Sequence, residues 1–146
     1  MTATNAFENL MLLHYFNNAT HPNVGDAAGL LASAAAGSIY VSLHTADPGE
    51  AGDQTTSEAT YTGYARVAVA RSSAGFTVSG SNASNAAAVA FGACTAGTNT
   101  ITYFGIGSAT SGAGNLYASG ALTASLAVSA GITPSFAIGE LDVNMD

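Results

Sequence analysis

Ser38-Ile39-Tyr40-Val41-Ser42-Leu43-His44-Thr45 alternates polar and apolar residues along its length. Successive side chains of a strand point to opposite faces, so this order places Ile39, Val41 and Leu43 together on one face. The period of two marks the point where the chain stops reading as helix and begins reading as sheet. Everything downstream is consistent with that change. Tyr64–Arg71 is extended, and Phe76-Thr77-Val78 follows a Ser-Ser-Ala-Gly turn. Ala86–Phe91 reads as a small-residue strand and Thr100–Ile106 as a β-branched and aromatic one. Leu116–Val128 reads as two short strands, or as one with a break at Gly120. Phe136–Ile138 and Leu141–Val143 close the chain. Short strands at this spacing with Gly and Ser turns predict a mainly β protein: an antiparallel β-sandwich, jelly-roll-like or a related barrel.

Upstream of Ser38 the pattern is helical. Asn5 can cap a helix, and Glu8 three residues on completes a capping-box pattern. Phe7, Leu10, Met11 and His14 then fall on one helical face. Leu12, Leu13, Tyr15 and Phe16 make the remainder nearly as apolar, so the helix is expected to be buried, either on its own domain or in a neighbour. After a polar loop, Asp26 can cap a second, Ala-rich helix over residues 27–36 that Gly37 would end. The expected organisation is a single domain over residues 1–146, with an N-terminal helical segment (1–37) and a β core (38–146). The basic start and apolar core of a signal peptide are missing, and the longest apolar stretches fall far short of a membrane span, so no membrane association is expected.

Composition limits what this domain can do. Of 146 residues, 31 are Ala, 17 Gly, 15 Ser and 16 Thr, more than half the chain, and Phe, Ile, Leu and Val number only 29. Small side chains each remove little apolar area from water, at about 25 cal/mol per Å². Part of the missing burial is therefore expected from neighbouring subunits, in a homo-oligomer that is a dimer or trimer. Nine acidic residues face two Arg and no Lys, a net charge of −7. Phosphate backbones are bound by clustered Lys and Arg, so nucleic acid is excluded as a partner. Cys94, the one cysteine, lies in the apolar run Val89–Thr95 and is expected to be buried and inert.

Catalytic and ligand sites are not evident. His14, His21 and His44 show none of the spacings of a zinc site. His44, Asp47 and a serine could supply the members of a triad, but no Gly-x-Ser-x-Gly elbow frames any serine. Gly105-Ile106-Gly107 is followed by a turn and not by the helix a dinucleotide site needs; here glycine is expected to let another backbone approach. The acids of the long 46–63 loop, Asp47, Glu50, Asp53 and Glu58, do not match a calcium loop. The expectation is no catalytic residue, no cofactor and no metal. Asp47-Pro48-Gly49 reads as a turn. Arg66 is expected either to pair with Asp47 or Glu50 and pin the loop, or to stand exposed.

The stretch Ile39–Glu50, followed after a loop by Tyr64-Ala65-Arg66-Val67, resembles a family of small tailed-bacteriophage virion proteins that share an "sLHTADPGE…YAR" motif. Asn85–Phe91, Ile101–Ile106 with Gly114-Asn115-Leu116-Tyr117, and Gly131–Val143 resemble the family's later strands, in the same order. The Ala-rich stretch 27–36 departs from it. The resemblance implies a structural protein of the virion, with members described as head-decoration, cement or tail proteins. The leading expectation is a decoration or cement protein on the capsid surface, binding the major capsid protein or other virion proteins. The alternative is a minor tail, baseplate or fibre-associated component, whose loops and tyrosines (Tyr61, Tyr64, Tyr103, Tyr117) could meet a glycan. Partner-binding is expected at Phe7, Leu10 and Met11 of the helix and at Asp47, Glu50 and Arg66 in and beside the long loop.

Overall fold

The computed structural model describes residues 2–145. The alternating stretch forms strand β1 (Ser38–His44), with Ile39, Val41 and Leu43 buried as the pattern predicts. Its other face is also closed: Ser42 and His44 have no exposed surface. β1 pairs antiparallel with β6 (Asn99–Gly107), placing Val41 opposite Ile106 and Leu43 opposite Phe104. β6 in turn pairs antiparallel with β7 (Leu116–Val128). With β2 (Val67–Ala70) these strands form a sheet of order β2-β1-β6-β7. β5 (Val89–Ala90) and β8 (Ser135–Phe136) form a second, two-stranded antiparallel sheet. Phe136 of β8 meets Phe104 of β6 edge-on at 6.0 Å, and Phe91 packs on Phe136 in the same way at 6.1 Å. Offset and edge-on rings are the favoured aromatic geometry, and here they join the two sheets across a shared core.

The residues cluster into two compact units. One comprises Ile39–Ala68 and Val89–Phe136 and holds the core just described. The other takes the chain through Ser38, Val69–Ala88 and the chain from Ala137 onward. It contains helix α1 (Asn5–Asn17) and a three-stranded antiparallel sheet of order β3-β4-β9, built from β3 (Phe76–Ser79), β4 (Asn82–Asn85) and β9 (Asp142–Asn144). The protein is thus mainly β, with antiparallel sheets and one short N-terminal helix, in keeping with the sandwich class.

Several local expectations are corrected. Thr4, not Asn5, caps α1, and its Oγ1 accepts from the Phe7 amide at 3.4 Å. The buried stripe of α1 is Glu8, Leu12 and Phe16, spaced by four, and not the Phe7-Leu10-Met11-His14 face. Phe16 packs on Phe76 of β3 at 4.8 Å, so the helix is seated on its own unit. Asn18, left-handed at φ 53°, ends it. The Ala-rich helix over 27–36 does not form. Asp26 Oδ1 does accept from the amides of Ala28 and Gly29, but Gly29 sits at φ +69° and stops propagation. Beyond it, both ends of the Asn18 amide bond the backbone of Ser33.

In the sheets, the Tyr64–Arg71 strand is shorter at its start, because Tyr64 closes a turn onto Tyr61. The expected strand over 86–91 shortens to β5 (Val89–Ala90), and β4, which the sequence did not suggest, lies before it at Asn82–Asn85. β7 is one strand of 13 residues that passes through Gly120 without a break. Its irregularities lie opposite Ile101–Tyr103 and opposite Ile106–Gly107, where the register shifts.

Candidate functional site

The motif that carried the resemblance builds one connected arrangement. β1 delivers Ser42 and His44, which share a face because they are two residues apart. The chain then turns at Asp47-Pro48-Gly49, with Asp47 Oδ1 accepting from the Gly49 amide at 2.9 Å and Gly49 at φ +68°. Asp53 repeats the device, accepting from the Thr55 amide at 2.8 Å and hydroxyl at 2.6 Å, which holds its carboxyl below the usual carboxylate range. The loop returns along β1, where the Thr45 amide donates to Ser57 O and the Ala59 amide to Leu43 O.

Glu58 is the centre of this return. Arg66 grips it with two donors, Nε to Oε1 at 2.6 Å and Nη2 to Oε2 at 2.8 Å. The remaining Arg66 bonds run to the carbonyls of Ala109 (2.9 Å) and Gly112 (2.7 Å), so one guanidinium ties the 46–63 loop to the β6–β7 turn. Tyr64 donates its hydroxyl to Glu58 at 2.8 Å and accepts from the Leu43 amide at 3.1 Å. Burial first, and the Glu58 carboxylate second, push the Tyr64 phenol far above its ordinary value. Glu58 likewise raises Arg66, chiefly through its hydrogen bonds. Gln54, fully buried, bonds the same turn: its backbone N–H donates to Ala113 O, and its side-chain Oε1 accepts from the Ala109 amide at 2.8 Å.

His44 lies at the base of the loop. Its Nδ1 is 2.8 Å from Thr56 O and its Nε2 2.8 Å from Ser42 Oγ. A carbonyl can only accept, so Nδ1 carries the proton, and Nε2 accepts from the Ser42 hydroxyl. Burial lowers the His44 pKa, and the Thr56 carbonyl and the Glu58 charge offset this in part. A serine hydroxyl on an oriented imidazole is the geometry of an activated nucleophile. Here the acid's place is taken by a backbone carbonyl, Asp47 is exposed, and neither Ser42 nor His44 has surface that a substrate can reach. Gly105, across on β6, explains how two polar side chains fit: a Cβ there would lie 2.6 Å from His44 Nε2 and 2.7 Å from Ser42 Oγ. Glycine at Gly105 makes room for buried polar side chains, where the sequence suggested an approaching backbone.

Arg66 therefore pins the long loop as one expectation had it, but through Glu58 and not through Asp47 or Glu50, both of which are exposed. Phe7 is exposed, and Leu10 and Met11 are half-buried. These three belong to one unit and Asp47, Glu50 and Arg66 to the other. Tyr61 is a core residue and Tyr64 is half-buried, with their rings 5.5 Å apart, and Tyr64 stacks on Phe91. Cys94 is buried, as its context predicts. Gln54 and Thr56 were missed by sequence reasoning, which named Glu58 only among the acids of the loop and not as the partner of Arg66. Ser42 and His44 carried a signal, their i, i+2 spacing on a strand, whereas Glu58 and Gln54 sit in an aperiodic loop without one.

The surface chemistry follows from the same bonds. Arg66 is spent on Glu58, and Arg71 donates to the carbonyls of His14, Tyr15 and Ala36, capping the end of α1. With no Lys in the chain, the exposed charges among the described residues are carboxylates. Among the described residues no group of three or more His, Cys, Asp or Glu is placed to hold a metal ion. Polar side chains are used mainly to fasten loops to strands, as in a structural module.

Over residues 2–144 the chain matches the family model described as Podophage GP4 fiber I protein gp80, and it belongs to that family. It is a structural protein of the bacteriophage virion. No curated protein matches the chain.

Proposed function

We propose that the protein is a fibre-associated structural component of the phage tail, and that it acts by binding neighbouring virion proteins without catalysing a reaction. The observation that carries this reading is the family match, which runs nearly end to end and whose description names a fiber. It favours the tail alternative; the capsid-decoration reading finds no support in that description. The closed Ser42–His44 pair supports a non-catalytic role, since no substrate reaches the Ser42 hydroxyl beside its imidazole. A surface with no free Lys or Arg suits partners that offer neutral or basic contacts, and the pinned 46–63 loop gives them a rigid target at little cost in ordering entropy.

Labelling the protein in intact particles tests the proposal. The expected result is signal at the tail, at about three, six or twelve copies per particle, as tail symmetry dictates. Copies on the order of hundreds spread over the head would instead mark a capsid-decoration protein and overturn the reading.

A further inference from the structure

β7 is the last strand of its sheet, paired with β6 alone. It is 13 residues long, and its sequence, LYASGALTASLAV, contains no charged residue and no proline. A free edge of that kind presents a row of unpaired N–H and C=O groups, and proteins that stay monomeric interrupt such rows with Lys, Pro or a short strand. Lys, Pro and a short strand are all absent from β7, whose interruption within Ala118–Ala127 is the register shift that leaves Leu122–Ser125 without partners on β6. The neutrality extends well beyond the strand, since no Asp, Glu, Lys, Arg or His occurs between Arg71 and Glu140. Ser119, Ala121, Thr123, Ala124, Ser125 and Ala127 are exposed along it.

We propose that two copies of this chain join through β7, the strands pairing antiparallel across a two-fold axis within Ala118–Ala127. Two observations select a second copy as the occupant. The first is length. The other terminal strands, β2, β3 and β9, have four, four and three residues, and β5 and β8 have two each. The edge in this chain that can match β7 over its length is β7 itself, which makes the contact isologous. The second is charge. Each copy carries −7, with both cations already bonded inside it. Copies meeting through faces that bear Asp47, Glu50 or Asp142 would oppose carboxylates, whereas β7 brings none together. The small Ser, Thr and Ala side chains let the two backbones approach to strand spacing. This inference does not depend on the protein's place in the particle.

Light scattering on the eluting purified chain tests it, with a dimer expected. The pair Thr123→Lys and Ser125→Lys alters exposed positions, and it is expected to give a monomer with an unchanged circular-dichroism spectrum. Single cysteines placed from Ser119 to Ala127 provide a second reading that needs no loss of binding: disulfide formation peaks at the residue beside the axis and falls on either side. Leu31→Asp, at the exposed Leu31 of the other unit, leaves the dimer intact. A monomeric or trimeric wild type, a dimer that survives both lysines, a flat cysteine scan, or a dimer abolished by Leu31→Asp each overturns the proposal.

Discussion

Arg66 holds Glu58 through two parallel hydrogen bonds, with only 2% of the arginine side chain and 17% of the glutamate side chain exposed. A pair this dry is costly to break from one side, because the partner left behind stays charged and unmatched. Removing one member of a buried pair costs about 3–5 kcal/mol. Arg66→Met is expected to lose stability on that scale, and it also frees the carbonyls of Ala109 and Gly112. Arg66→Lys is expected to recover little, since an ammonium cannot span a carboxylate and two carbonyls in one plane. Urea denaturation, with the midpoint compared against wild type, checks both; a shift below about 1 kcal/mol for Arg66→Met would place the pair among ordinary surface ion pairs.

His44 makes the loop acid-sensitive. Burial lowers its folded pKa below the ordinary 6.5, so the fold prefers the neutral ring while the unfolded chain takes up a proton first. Stability from this group is therefore complete above about pH 6.5 and is lost as pH falls toward the folded pKa. The slope contributed by one proton is at most about 1.4 kcal/mol per pH unit. His44→Gln is expected to be less stable at neutral pH and to show a flatter profile below about pH 6.5. The readout is the difference between the two profiles, which removes the titration common to both proteins. Equal slopes would show that His44 does not couple to folding. Nitrogen chemical shifts of the ring should independently report the proton on Nδ1.

How much of this was legible depended on which residues have a period. β1 and β6 could be read because Ile39, Val41, Leu43 and the Thr100–Ile106 run carry the alternation and β-branched content that sheets select. The presence of α1 was readable, but its buried face was not. Nearly every position from Leu10 to Phe16 is apolar, so the pattern could not say which stripe would meet Phe76. The Ala-rich 27–36 stretch has helical propensity, yet Gly29 and the Asn18 side chain impose a different backbone, a tertiary override of a weak preference. β4 went unseen because Asn82-Ala83-Ser84-Asn85 has almost no strand propensity. The motif pointed to the right region, but the partner of Arg66 lay eight residues upstream in a loop, where sequence spacing carries no geometric meaning.

Gly105 is where the sheet makes way for polar side chains. An alanine methyl would sit 2.6 Å from His44 Nε2, 2.7 Å from Ser42 Oγ and 2.8 Å from Leu116 Cδ1, too close on three sides. Gly105→Ala is expected to cost about 1–3 kcal/mol, the range of overpacking. The cost should be shared with Ser42, because Ser42→Gly removes one of the clashing atoms. The double variant is therefore expected to be more stable than the sum of its singles predicts. A thermodynamic cycle from four denaturation curves measures this coupling, and strict additivity would mean that the strand relaxes away from the methyl without touching Ser42.

Asn85 replaces several ladder bonds with one side chain. Its Nδ2 donates to the carbonyls of Ala87 and Ala137, both at 2.8 Å, and its Oδ1 accepts from the Leu141 amide at 2.9 Å. Those three backbone groups come from β4's own exit and from the returning C-terminal segment, so one buried amide joins chain parts more than fifty residues apart. Asn85→Ala removes all three bonds and leaves the amide of buried Leu141 without its acceptor, at about 1–3 kcal/mol, while Ala87 and Ala137 are exposed and the Ala137 carbonyl keeps the Glu140 amide. Asn85→Asp tests the chemistry separately from the shape. It keeps the acceptor for Leu141 but sets a carboxylate oxygen against two carbonyls, so it should be no better tolerated than alanine at neutral pH and should recover as the pH falls and the carboxyl gains a proton. Amide hydrogen exchange at Leu141 gives the local readout. Faster exchange is expected in Asn85→Ala, and unchanged exchange would mean that the C-terminal segment is held in place without Asn85.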